Sequence, residues 1–114
     1  MKIDSYRFGE VVIDGKGYIS DVIISPEHIQ EEWWRKGGHH FVSLEDIKGL
    51  VQKKPEVLII GIGRSQGMKI APEARRYLEE QGIEFIAQAT EEACQTYNQL
   101  CQSCKVIAAL HLTC

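Results

Sequence analysis

Apolar residues along this chain fall into short blocks of two alternating kinds. Phe8-Gly9-Glu10-Val11-Val12-Ile13 and Tyr18-Ile19-Ser20-Asp21-Val22-Ile23-Ile24 flank Asp14-Gly15-Lys16-Gly17, whose glycines can supply positive φ. The pattern predicts a β-hairpin that ends at Ser25-Pro26. From Glu27 to His40 no period is sustained, and the stretch reads as an irregular surface segment. Ser43-Leu44-Glu45-Asp46 has the Ser-x-x-Asp form of a capping box, and Leu44, Ile47, Leu50 and Val51 follow at helical spacing, so a short helix is expected before Pro55.

The second half alternates more regularly. Val57-Leu58-Ile59-Ile60 is an unbroken apolar run of the kind buried on both faces of a sheet, and it is placed at the sheet centre. Pro72 suits a first helical turn, Ala71, Ala74, Tyr77 and Leu78 make one stripe, and Gly82 suits the stop. A strand over Ile83-Glu84-Phe85-Ile86-Ala87, a helix from Thr90 to about Gln102 and a strand from Val106 to Leu112 complete the order. Strand and helix in alternation predict right-handed crossovers over a largely parallel sheet.

Composition narrows the class. The 114 residues suit one domain, 1–114, and 44% hydrophobic with 25% charged residues is enough to bury a core without disulfides. Thirteen basic and sixteen acidic residues give a formal charge of −3, which makes nucleic acid a poor partner. No run approaches about 18 apolar residues, so no membrane partner is expected, and Met1-Lys2-Ile3-Asp4 does not read as a signal peptide. A cytoplasmic protein is expected. Cys94, Cys101, Cys104 and Cys114 crowd the last 21 residues, a distribution that reads as reduced thiols.

Taken together, Ile13-Asp14-Gly15-Lys16, Ser20-Asp21-Val22-Ile23-Ile24, Trp33-Trp34-Arg35, His39, Ile59-Ile60-Gly61-Ile62-Gly63, Gly67-Met68 and His111-Leu112-Thr113-Cys114 resemble the adipogenesis-associated domain family over nearly the whole chain. That family in turn resembles mitochondrial respiratory complex I assembly factors. The resemblance implies an α/β fold of three layers, with a mixed, mostly parallel five-stranded central sheet, helices on its faces and the N-terminal hairpin beside it. It also implies assembly or signalling adaptors without enzyme chemistry, so no catalytic residue is carried over and no cofactor is expected.

Five groups of residues are candidates for chemistry. Gly61, Gly63, Arg64, Ser65, Gly67 and Lys69 lie between a strand and a helix, where glycine-turn amides and a helix N-terminus can hold an anion. The spacing matches neither the dinucleotide fingerprint nor the P-loop, and a structural turn is the plainer reading. Trp33, Trp34 and Arg35 have the composition of a protein interface, or both indoles cap the hairpin as core. Cys101 and Cys104 have redox or zinc spacing but sit at a helix C-terminus, with Ala93, Tyr97 and Leu100 on the same face, so burial explains them. His39 and His40 point to opposite sides of an extended chain and make a poor metal pair, so no metal is expected. Asp21, Glu45 and Asp46 have no Ser, Cys or His at a recognisable catalytic spacing. The leading expectation is therefore a non-enzymatic interaction or assembly module with a protein partner, a homo-oligomer being left open. The alternative is a protein that binds a small anionic or nucleotide-like ligand at the glycine loop.

Overall fold

The computed structural model describes residues 1–38 and 40–113. Three strands, β1 (Ile3–Arg7), β2 (Glu10–Ile13) and β3 (Lys16–Tyr18), form a small antiparallel sheet in that order. The loop between β2 and β3 is Asp14-Gly15, with φ of 49° and 83°. Positive φ at both positions is what a two-residue hairpin with right-handed twist demands. The run Tyr18–Ile24, expected as one strand, is cut at Ile19–Asp21. There the chain leaves the small sheet and enters a second one.

The second sheet begins with β4 (Val22–Ser25) and β5 (His28–Gln30), a hairpin closed over Pro26 and Glu27. A two-residue strand, β6 (Phe41–Val42), precedes α1 (Leu44–Leu50) and a 3-10 turn at Val51–Lys53. The capping box at Ser43 forms as read: the Asp46 amide donates to Ser43 Oγ at 3.2 Å and the Ser43 amide to the Asp46 carboxylate at 2.9 Å. Next come β7 (Val57–Ile62), the short β8 (Lys69–Ile70) paired with β6, α2 (Pro72–Glu80), β9 (Glu84–Gln88), α3 (Thr90–Leu100) and β10 (Val106–His111).

The large sheet has the order β5-β4-β10-β7-β9. β10 pairs parallel with β7, and β7 with β9, whereas β4 is antiparallel to both β10 and β5. The sheet is mixed, with two pairings of each kind, and this corrects the expectation of a mostly parallel one. The reason lies in the connections: β4 and β5 are joined by a tight turn, which enforces antiparallel pairing, while helices bridge only the later strands. β10, one removed from the Val57–Ile60 strand, holds the middle.

Both faces of this sheet are covered. Val106, Ala108 and Leu110 of β10 with Val57 and Ile59 of β7 face a core completed by Ala93, Cys94 and Tyr97 of α3 and by Ile3, Val11 and Ile13 of the small sheet. The alternate residues, Ile107, Ala109, Leu58 and Ile60, face Ile47, Leu50, Ala74 and Leu78 of α1 and α2. Each fully buried Leu or Ile contributes about 2 kcal/mol through removal from water. At the C-terminal edge, a Cβ on Gly61 would lie 3.0 Å from Thr90 Oγ1, 3.1 Å from Leu110 Cδ2 and 3.2 Å from Thr90 Cα. Only glycine lets the start of α3 approach β7 this closely.

Gly61→Ala is therefore expected to destabilise the fold by about 1–3 kcal/mol in urea titration. Gly49→Ala, at an exposed position in α1 with nothing within 4 Å, should stabilise it by about 0.5–1 kcal/mol.

Candidate functional site

Asp21 stands where the chain crosses between sheets, and it gathers groups from distant parts of the sequence. Its Oδ1 accepts from the Leu112 amide at 2.8 Å. Its Oδ2 accepts from Arg35 Nη2 at 2.7 Å and lies 2.7 Å from His111 Nδ1. The Trp33 amide donates to the Asp21 carbonyl at 2.9 Å, Arg35 Nη1 donates to the Trp33 carbonyl at 3.3 Å, and the Arg35 guanidinium lies 4.4 Å from the Trp33 ring centre. The side chains of Arg35 and His111 are 1% and 2% exposed, that of Asp21 15%.

Burial pushes the Asp21 carboxyl up, but the hydrogen bonds from His111, the Leu112 amide and Arg35 outweigh it and hold the group below its ordinary value. Because Nδ1 of His111 faces a carboxylate oxygen, Nδ1 is the donor of the pair. Nε2 is then sealed in the interior with no hydrogen-bond partner among the described residues. The His40 ring meets the His111 ring edge-on, 5.7 Å between centroids.

Above this cluster lies a cleft of about 300 Å³ lined by Ile19, Asp21, Glu32, Trp33, Trp34 and His111, among others. Trp33 is buried, while Trp34 is 72% and Ile19 85% exposed. Both indoles also line a second cleft, of about 340 Å³, bounded by Ile23, Gln30, Leu50 and Lys53. Of Trp33, Trp34 and Arg35, only Trp34 is on the surface. Trp33 and Arg35 turn inward because the guanidinium needs the Asp21 carboxylate and the buried indole stacks on it.

The glycine loop is occupied with its own fold. The Gly63 amide donates to Thr90 Oγ1 at 2.9 Å, and the amides of Arg64, Gln66, Met68 and Lys69 donate to the carbonyls of Thr113, Gly63, Ile62 and His40. Five of the loop amides are thus engaged within the fold, and the following helix starts on Pro72, which has no amide to donate. Gly61 and Gly63 are buried and Gly63 has φ of 102°, whereas Arg64, Ser65, Gly67 and Lys69 are exposed. The loop's geometry lends no support to the anion reading.

Cys101 and Cys104 pack against the core at the end of α3, their thiols directed at the carbonyls of Asn98 and Leu100. Burial raises the Cys94 thiol to about 12, the negative charge of Glu91 adding to it. Asp46 caps α1, and Glu45 pairs with Lys36. His39 and Cys114 lie outside the described residues. Among the described residues, no group of three His, Cys, Asp or Glu is placed to hold a metal ion, and no helix is long and apolar enough to cross a membrane.

Asp21, which has no Ser, Cys or His at a recognisable catalytic spacing in the sequence, meets two charged or titratable partners 14 and 90 residues away. The signals were present singly: Asp21 interrupts an apolar run, and His111 is the polar residue in Val106–Leu112. Nothing in the spacing joins them.

Comparison with known proteins places this geometry. Residues 3–111 match the family described as protein of unknown function (DUF498/DUF598), and the chain belongs to it. The chain is 25% identical over 111 residues to NADH dehydrogenase [ubiquinone] 1 alpha subcomplex assembly factor 3 of Bos taurus, covering 96% of this chain and 59% of that protein. The Homo sapiens protein of the same name is 24% identical with the same coverage. This chain thus spans less than two thirds of the length of the curated relatives it matches. The crystal structure of a conserved hypothetical protein from Pyrococcus horikoshii OT3 superposes with a TM-score of 0.88 at 29% identity, covering all of both chains. The resemblance read from the motifs holds at this level: a mixed α/β fold, and distant homology to a complex I assembly factor.

Asp21 has a folded pKa below its unfolded value near about 4, so ionisation favours the folded state. That stabilisation is fully present above about pH 4 and is lost as pH falls through the lowered folded value. Asp21→Asn should cost about 3 kcal/mol at neutral pH, because it leaves Arg35 buried beside a neutral amide. In melting curves from pH 7 down to about pH 2.5, the gap between variant and wild type should close in the acid range. A gap that stays constant would mean that the charge is not what matters.

Proposed function

We propose that this chain is a non-enzymatic interaction domain of the assembly type, with Trp34 as the anchor of its partner surface. The observation that carries the reading is the 72% exposure of Trp34 between two clefts, on a loop whose two neighbouring residues are pinned inside the fold. Large aromatic groups at the centre of an apolar patch are the residues that dominate binding energy at protein interfaces. The names of the curated relatives, assembly factors, agree with it. The Asp21–His111 pair does not favour a competing catalytic reading, because the Nε2 that a general base would use is sealed from solvent.

The same proposal takes 1–114 as one α/β domain of three layers, the large sheet between α1 and α2 on one side and α3 with the small sheet on the other. It keeps the adipogenesis-associated resemblance as the finer family reading, and the cytoplasm as the place where a protein partner is met.

Two variants separate anchor from core. Trp34→Ala should melt within about 2 °C of the wild type, as surface changes do, yet lose a partner that co-purifies with the tagged chain. Trp33→Ala should lower the midpoint by more than about 10 °C, since a buried Trp is worth about 3–5 kcal/mol to a domain of this size. Retention of the partner at wild-type stoichiometry by Trp34→Ala would place the binding surface elsewhere.

A further inference from the structure

The cleft between Ile19 and Trp34 has a chemistry more specific than an apolar anchor site. Its charged lining is acidic, with Asp21, paired to Arg35 behind it, on the floor and Glu32 at the rim, and among the described residues no Lys or Arg lines it. Glu32 is exposed and has no ion-pair partner among the described residues, and Glu31 beside it is exposed as well. The Glu32 backbone is held at φ of 55°, a conformation uncommon for a residue with a side chain, and its amide donates to Ser20 Oγ at 2.9 Å. The backbone that carries the rim carboxylate is therefore anchored to Ser20, which also lines the cleft.

On the floor, Oδ2 of Asp21 is engaged by Arg35 and His111, Oδ1 accepts among the described residues only from the Leu112 amide, and the side chain, which lines the cleft, keeps 15% exposure. An ionised carboxylate has about four acceptor positions, so Oδ1 has one to spare. Trp33, Trp34 and Ile19 line the cleft beside these carboxylates, the Trp33 ring carrying the Arg35 guanidinium 4.4 Å from its centre. At about 300 Å³ the cleft is at the lower end of the range for small-molecule pockets, and its size suits one long side chain.

Carboxylates beside tryptophans are the complement of a guanidinium, which donates in a planar fork and stacks on aromatic rings. Resting on the interaction-domain reading above, we infer that the cleft receives an arginine side chain of the partner protein, flanked by apolar residues that cover Ile19 and Trp34. The acidic rim supplies the charge complementarity and the exposed Trp34 and Ile19 supply the apolar area.

The test uses the full chain and three probes. The peptides acetyl-Gly-Leu-Arg-Leu-Gly-amide and the same peptide with Glu for Arg are titrated while the indole N–H resonance of Trp34 is followed, assigned by its loss in Trp34→Phe. Acetyl-arginine amide is the third probe. The arginine peptide should shift the resonance saturably and the glutamate peptide should not. Glu32→Lys should weaken the arginine peptide about tenfold at low salt, and raising salt from about 20 mM to about 500 mM should weaken wild-type binding as well. Glu32 is exposed and outside the buried cluster, so this variant should fold where Asp21→Asn fails to. Equal binding of the two peptides, no shift with either, or no effect of Glu32→Lys would overturn the inference. So would acetyl-arginine amide binding as tightly as the peptide, which would make the cleft a site for a free small cation. A co-purifying partner lost in Trp34→Ala but kept in Glu32→Lys would sink the arginine inference and leave the interaction-domain reading standing.

Discussion

The Asp21 carboxylate accepts from the Leu112 amide and from Arg35 and is bonded to the His111 ring, and through these bonds it joins the crossing between the two sheets, the Trp33–Arg35 loop and the end of the middle strand. An arginine whose side chain is 1% exposed is tolerable only beside an opposite charge, because the desolvation of a lone guanidinium costs several kcal/mol. The position of Arg35 is therefore dictated by Asp21. Trp33 follows, stacked on the guanidinium, and Trp34, as the residue between two that turn inward, is left facing solvent.

A second set of bonds holds the same strand end from the other side. The Thr90 hydroxyl donates to the His111 carbonyl at 2.6 Å and accepts from the Gly63 amide at 2.9 Å. His111 is thus fixed by its side chain from Asp21 and by its backbone from the first residue of α3. Gly61 is the steric condition of this arrangement, since any side chain there would meet Thr90. Gly61, in β7, serves a close packing of helix on sheet, and its effect on the cleft is indirect: it keeps the floor on rigid elements, where a binding site holds its geometry best.

What could be read from sequence followed local rules. The capping box at Ser43, the Asp14-Gly15 turn, the Pro72 helix start and the apolar β7 and β10 runs each carry their signal within a few residues, and each forms. β5 is three residues long in a charged stretch and β1 begins in an alternation weaker than that of its partner, so neither rises above its surroundings. The break at Ile19–Asp21 was invisible for a different reason: both halves are good strand sequence, and only the existence of two sheets forces the chain to change between them. The site suffered most. Its residues lie 14 and 90 positions from Asp21, and periodicity says nothing about contacts at that range.

Rigidity around Trp34 bears on how strongly such a surface can bind. Ordering a loop and its side chains on association costs about 0.5–1.5 kcal/mol for each immobilised rotamer-rich side chain. Here the Trp33 amide is bonded to Asp21, the Glu32 amide to Ser20, and Arg35 is held in the core, so the backbone on both sides of Trp34 is set before any partner arrives. An exposed indole on a mobile loop would lose part of its contact energy to ordering. On this loop the loss is confined to Trp34 itself, whose two side-chain angles are few to fix, so most of the apolar area it offers is available for association.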